Sequence, residues 1–286
     1  MGNISKVFLS KAVDEVVITI LRAVIPVLER QSVDYFVVGA FARDLELLSM
    51  GHNEPPVRKT KDIDIAVMIG SIEEFDRLKA AVVALPDFEI NVHEPYRLSF
   101  RKAYDLDFLP FGEIANEKGV IELEAKQTFL LDMPGFDAAY PFADTIKTEE
   151  GLTLKVSSLA GVVMLKLLAW QDRPERARDI QDIDYIFKHL YWLQIDEILS
   201  TDGDIPELYQ YQDLVFMESV AARYIERQMS IMLKDMPKLR SRVYDLLHEH
   251  TQGFRMARLM SSAHIESSQQ IIQALYDGFQ DRASSE

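Results

Sequence analysis

The chain of 286 residues has no cysteine, so it has neither a disulfide framework nor a thiolate zinc site. That composition suits a reducing compartment, and a cytoplasmic location is expected. No apolar run reaches the roughly 20 residues that a membrane-spanning helix needs. Asp14 and Glu15 fall where the apolar segment of a secretory leader would sit. Met1-Gly2-Asn3-Ile4-Ser5-Lys6 misses the myristoylation pattern at Lys6, where Ser or Thr is required. A membrane is therefore not an expected partner. Positive charge is scarce, with 31 Lys and Arg against 46 Asp and Glu and a net charge of −15. This excludes nucleic-acid affinity spread over the whole surface but leaves room for a local basic groove holding one RNA end. Neither a G-x-x-x-x-G-K loop nor a G-x-S-x-G elbow occurs, which removes the P-loop and α/β-hydrolase readings. The six histidines show no metal-ligand spacing: His248 and His250 are two apart, and His93, His189 and His264 stand alone.

Against these absences stands one informative stretch, Val37 to Ala66. An apolar, strand-like run, Tyr35 to Val38, stops at Gly39-Ala40, and a helical pattern follows at once with Phe41, Leu45 and Leu48 on one face. A loop broken by Gly51, Asn53, Pro55 and Pro56 leads to a second strand, Asp62 to Ile69. Side chains alternate along a strand, so Asp62 and Asp64 share a face at a spacing of roughly 7 Å. Ile63, Ile65 and Val67 take the opposite, core-facing side. Two carboxylates this close repel, and a divalent cation is the usual counter-charge. An all-oxygen donor set favours Mg²⁺ or Mn²⁺ over zinc. The competing reading of the pair is a charged, exposed strand edge. A strand that turns through Gly39 into a helix presents backbone N–H groups to a phosphate, although a simple turn glycine would read the same way. Arg43, one turn on, serves either a salt bridge with Asp44 or Glu46, or a phosphate or base contact. Residues 96–109 read as a β-hairpin whose second strand places Asp105 and Asp107 on one face, a third source of carboxylate.

The remaining segments give the architecture. Residues 10–31 form an amphipathic helix with a break or kink expected at Pro26. Ser71 and Glu74 make a capping box for a helix ended by Pro86-Asp87. Residues 112–156 read as an irregular sheet extension. Leu159 to Trp170 is apolar on most sides, hence a buried helix, with Lys166 inside it. That lysine either snorkels to an edge or points at a triphosphate. After Asp172-Arg173-Pro174 a helix runs from Glu175 to Phe187, on which Asp179 and Asp182 are neighbours. They serve either a site or an ion-pair network with Arg173, Arg176 or Arg178. Further helices are expected over Leu214–Leu233, Pro237–Leu247 and Ile265–Phe279, then a frayed tail from Arg282. The expected fold is α/β (α+β): a small mixed sheet with flanking helices over residues 1–156 and a helical domain over residues 157–286.

Gly39-Ala40 followed by Asp62-x-Asp64 resembles the nucleotidyltransferase fold shared by DNA polymerase beta, CCA-adding enzymes and the AbiEii/AbiGii toxins. VVGAFARDL is similar to the GG-x-x-RD of CCA-adding enzymes. The long gap and the form Thr60-Lys61-Asp62-Ile63-Asp64 resemble the AbiEii branch more closely, as does Leu106-Asp107-Phe108-Leu109-Pro110-Phe111-Gly112. Lys166-Leu167-Leu168-Ala169, then Arg173, then Arg178-Asp179-Ile180-Gln181-Asp182-Ile183 resembles the K-L-x-A…R…K-D-I-x-D-L signature of that branch. The likeness covers roughly residues 33–190. Ala40 departs from the usual Gly or Ser and offers a phosphate no hydroxyl.

The resemblance implies a nucleotidyltransferase in which Asp62, Asp64 and Asp107 hold two Mg²⁺ (or Mn²⁺) ions, with Asp105 as the substitute for Asp107. Lys166 and Asp179 join them in catalysis, and Gly39, Ala40, Arg43, Lys61, Lys166 and Asp182 bind the nucleotide. It implies an NTP donor, a tRNA 3′ end or similar RNA as acceptor, and an antitoxin protein as partner. No R-R-D-F-type continuation follows the aspartate pair, which argues against a housekeeping CCA enzyme. Two other readings stand beside it: transfer to a small, aminoglycoside-like molecule, which the acidic charge would attract, and a nucleotide-binding regulator without turnover, for which Ala40 leaves room.

Overall fold

The structure, a computed structural model, describes residues 7–54, 61–116, 120–124 and 128–283. Pro55, Pro56, Thr60 and the tail from Ser284, all read above from the sequence, lie outside these residues. The chain divides into two compact units, Met1–Ser49 with Asn53–Ser157, and Met50–His52 with Ser158–Glu286.

The first unit begins with a short helix α1 (Leu9–Ala12), then α2 (Glu15–Arg30), β1 (Tyr35–Val38), α3 (Gly39–Ser49), β2 (Asp62–Met68) and α4 (Ile72–Val83). The helix expected over residues 10–31 is thus interrupted at Val13-Asp14, whereas Pro26 sits inside α2 without ending it. The stripe from Val17 to Leu28 is buried, and that packing outweighs the single hydrogen bond that a proline removes. At α4 the Ser71 hydroxyl accepts from the Glu74 N–H, while the Glu74 carboxylate reaches one residue further back, to the Gly70 N–H, instead of closing the expected box.

Next come β3 (Phe88–Ile90), β4 (Arg97–Phe100), β5 (Tyr104–Phe111), β6 (Val120–Glu124), β7 (Thr128–Asp132), a short helix α5 (Phe136–Ala139), β8 (Asp144–Lys147) and β9 (Thr153–Val156). The hairpin expected over residues 96–109 is the β4–β5 pair, turned through Arg101 and Lys102 at φ 51° and 55°. Seven strands form one mixed sheet in the order β3-β4-β5-β2-β1-β9-β8, and β6 pairs with β7 in a separate hairpin. Strand β9 belongs to the main sheet, parallel to β1 with Val37 opposite Val156, and with β8 it extends that sheet beyond β1. Ile63, Ile65, Leu98, Leu106 and Phe108 are completely buried on one face. The other face is divided lengthwise. Towards the ends of β2 and β5 it carries Phe36 and Phe111 edge to face at 5.6 Å, with Phe136 and Tyr140 against them. Towards their beginnings it carries carboxylates.

Helix α3 buries charge. Glu46 is only 2% exposed, and its Oε1 has no hydrogen-bond partner among the described residues. Burial, and next the Asp144 charge, push its carboxyl well above the ordinary 4.5. A raised folded-state pKa means that the native chain holds the proton longer than the unfolded one. Its contribution is therefore complete below about pH 4.5 and is lost as pH rises towards the folded value. A Glu46→Gln chain should lose this dependence. Chemical unfolding at stepped pH should show the variant gaining on the parent above pH 4.5, by at most about 1.4 kcal/mol per pH unit.

The second unit is helical: α6 (Leu159–Asp172), α7 (Ala177–Thr201), α8 (Phe216–Met232), α9 (Pro237–Gln252), α10 (Arg255–Met260) and α11 (Ile265–Ala283). Trp170, Phe187, Val220, Met229, Leu247 and Leu275 form its interior. Helix α7 runs past the expected Phe187 to Thr201, with non-helical backbone at Gln194. Helices α8 and α11 approach closely enough that a side-chain carbon at Gly278 would lie 2.9 Å from the Arg223 carbonyl oxygen. Ion pairs tie the same helices: Arg223 forks onto Asp281 at 2.6 and 2.8 Å and Arg227 also reaches Asp281, while Arg227 joins Asp202 and Asp204 beyond the end of α7.

Candidate active site

Strand register assembles the acidic face. Strands β2 and β5 run parallel with Asp62 opposite Asp105 and Asp64 opposite Asp107. Directly opposed residues point to the same side of a sheet, and strands lie about 4.8 Å apart. Four carboxylates thus form a two-by-two patch. It is graded in exposure: Asp62 is open to solvent, Asp64 and Asp105 are intermediate, and Asp107 is 7% exposed.

Gly39 closes one side of the patch. Val38, the last residue of β1, lies opposite Asp64, so the chain turns into α3 directly beside that carboxylate. Gly39 has φ +71°, and a side-chain carbon there would stand 2.3 Å from Asp64 Oδ2. Both the turn and the close approach require glycine. Ala40 follows in the first turn of α3, partly accessible like Gly39. Arg43, one turn later, is 8% exposed and its guanidinium binds Asp44 at 2.6 and 2.8 Å, a buried version of the salt bridge anticipated on this helix. Lys61, just before β2, is exposed, its ammonium 5.9 Å from the Tyr104 ring centre.

On the other side of the patch stands a residue that the sequence did not single out. Arg97 of β4 is directly opposite Asp107 and donates from Nε to Oδ1 at 2.7 Å and from Nη2 to Oδ2 at 2.8 Å. Its Nη1 donates to Glu94 at 2.7 Å. Burial pushes the Asp107 carboxyl above its ordinary range, and the Arg97 hydrogen bonds pull against that rise. Ser99 donates to Asp105 at 3.2 Å.

Lys166, Asp179 and Asp182 lie in the helical unit. Lys166 is 8% exposed, and its ammonium contacts Asp179 at 3.2 Å and Asp182 at 2.6 Å, joining α6 to α7. Arg176 adds a second cation to Asp179 at 3.2 Å. The same unit holds an aromatic and imidazole cluster. His52 Nε2 lies 3.0 Å from the Tyr185 hydroxyl, and the His189 ring lies 4.6 Å from that of His52 and 4.2 Å from that of Tyr185. More than a hundred residues separate His52 from the other two, so no spacing rule could have paired them.

The donor set of the sheet patch is oxygen only, and hard divalent cations prefer such a set. Asp62, Asp64 and Asp107 all supply such oxygens, and both oxygens of Asp107 also accept from a guanidinium.

The family model described as "Nucleotidyl transferase AbiEii toxin, Type IV TA system" matches residues 38–247. No curated protein matches the chain. Among solved structures, the solution structure of the antibiotic-resistance factor ANT(2'')-Ia is 13% identical, covering 84% of this chain and 100% of that one with a TM-score of 0.38. The crystal structure of ANT(2'')-Ia in complex with adenylyl-2''-tobramycin is 14% identical, covering 72% of this chain and 98% of that one with a TM-score of 0.36. Likeness at that level carries no weight for substrate.

Proposed function

We propose, since the chain belongs to the AbiEii nucleotidyltransferase toxin family, that it transfers a nucleoside monophosphate from an NTP to the 3′ hydroxyl of an RNA, a tRNA end above all. The observation that carries this reading is the register that sets Asp64 between the Gly39 corner and Asp107. In this reading Asp62 and Asp64 hold a divalent cation, Mg²⁺ or Mn²⁺, with Asp107 beside them. When bound, the cation neutralises triphosphate charge and lowers the pKa of an attacking hydroxyl. The backbone N–H groups at the start of α3, from Gly39 and Ala40, receive phosphate oxygens, and exposed Lys61 adds a positive charge nearby in sequence. Asp107, raised by burial, accepts the acceptor's proton as the bond from oxygen to the α-phosphorus forms and pyrophosphate leaves. In this reading the sheet unit, residues 1–156, carries Asp62, Asp64 and Asp107, and the helical domain, residues 157–286, carries Lys166, Asp179 and Asp182.

A cationic small molecule is the alternative acceptor, favoured by the net charge of −15. The two are separated by incubating the chain with α-labelled NTPs and total tRNA, before and after periodate oxidation of the RNA 3′ diols. Label on intact RNA that is absent from oxidised RNA supports the RNA reading. Label that ignores RNA and moves to an added aminoglycoside supports the alternative. Nucleotide binding with transfer to neither would leave a regulator.

A further inference from the structure

The Asp107 carboxylate already holds a cation, and that cation belongs to the chain. Arg97 takes both carboxylate oxygens through a two-pronged contact, Nε to Oδ1 at 2.7 Å and Nη2 to Oδ2 at 2.8 Å. A fork of this kind lies along the chelating edge of the carboxylate, the edge that a metal ion would use. The guanidinium is also held from behind. Nη1 donates to Glu94 Oε2 at 2.7 Å and lies 3.7 Å from Asp105 Oδ2. Its backbone is fixed as well, because β4 and β5 pair with Arg97 opposite Asp107. An arginine held at three nitrogens by carboxylates, on a backbone fixed by strand pairing, is a permanent fixture, and its charge does not depend on pH or on metal supply.

We propose that Arg97 is the resident second cation of this acidic face. One divalent ion is held at Asp62 and Asp64, and the guanidinium stands at Asp107, where a second ion would otherwise bind. The inference rests on the reading of Asp62 and Asp64 as metal ligands. It departs from the arrangement that the sequence resemblance implies, in which three carboxylates share two ions. Arg97 acts as a positioning residue: it fixes the Asp107 carboxylate towards the face and supplies a constant positive charge there. A lysine would not do the same, since a flexible point charge lacks the planar fork that fixes the carboxylate's orientation.

The test is a Mn²⁺ titration of the full chain without nucleotide, with free Mn²⁺ followed by electron paramagnetic resonance. The parent should bind one ion per chain, and Asp64→Asn should lose it. Arg97→Met should take up a second ion, and its first should bind at least tenfold more tightly, since a positive charge has left and a carboxylate has been released. Arg97→Gln likewise removes the two-pronged contact and serves if Arg97→Met fails to fold; it too should show a second ion. Two Asp64-dependent ions in the parent, or one ion of unchanged affinity in both Arg97 variants, would overturn the inference while leaving the metal reading intact. An absence of Asp64-dependent binding in the parent would overturn both.

Discussion

Asp64→Asn should lower transfer of label from an NTP by about 10³-fold or more, with little change in melting temperature. Asparagine keeps the shape but removes the charge, and with it a metal interaction worth several kcal/mol in the transition state. Each 1.4 kcal/mol is a factor of ten in rate. Stability should move little, because a carboxylate leaves a patch where Asp62, Asp105 and Asp107 crowd one face. The same substitution at Asp105 should cost much less. Asp105 lies opposite Asp62, away from the Gly39 corner, and already accepts from Ser99. Single-turnover rates for the two variants, each with a melting curve, check both statements. Equal losses at the two positions would mean that the patch acts only through its summed charge.

Lys166→Met should do the reverse, with a large loss of stability. The ammonium is buried between Asp179 and Asp182, whose side chains are 6% and 19% exposed. Removing one partner of a buried pair costs about 3–5 kcal/mol, because the remaining charges stay desolvated. Arg176 compensates only in part, since its own side chain is half exposed. Adding Asp182→Asn to Lys166→Met should recover part of the loss, the coupling expected of residues in contact. A lysine whose main duty is the triphosphate would behave differently: the variant would keep its unfolding midpoint and show a higher KM for NTP. Denaturant unfolding and KM measured on one preparation decide between these outcomes.

The sequence carried the fold wherever local pattern was strong. Alternation in Asp62–Ile69 gave both the strand and the shared face of its aspartates, and the strand that stops at Gly39 gave the corner. It could not choose between Asp105 and Asp107 on alternation, since both lie on one face. Only register separates them, by setting one opposite exposed Asp62 and the other opposite Asp64. Register also hid Arg97. Within Tyr96–Phe100 it is an ordinary polar position of an alternating strand, and its meaning comes from the residue across the ladder. The partner of strand β9 was hidden for a related reason. That partner, β1, lies more than a hundred residues earlier, and parallel pairing over that distance leaves no local signature. At Lys166 the sequence offered snorkelling to an edge or reach to a triphosphate, and neither reading named the contacts it makes to Asp179 and Asp182, because those partners lie on the next helix.

The central claim is that this chain breaks an NTP between its α and β phosphates and keeps the nucleoside monophosphate. The most direct measurement compares NTP labelled at the α-phosphate with NTP labelled at the γ-phosphate, incubated with the chain, Mg²⁺ and total tRNA. The account predicts that α-label enters the RNA while γ-label is released as pyrophosphate in equal amount. Label retained from the γ-position, or an absence of transfer from either position, would contradict it.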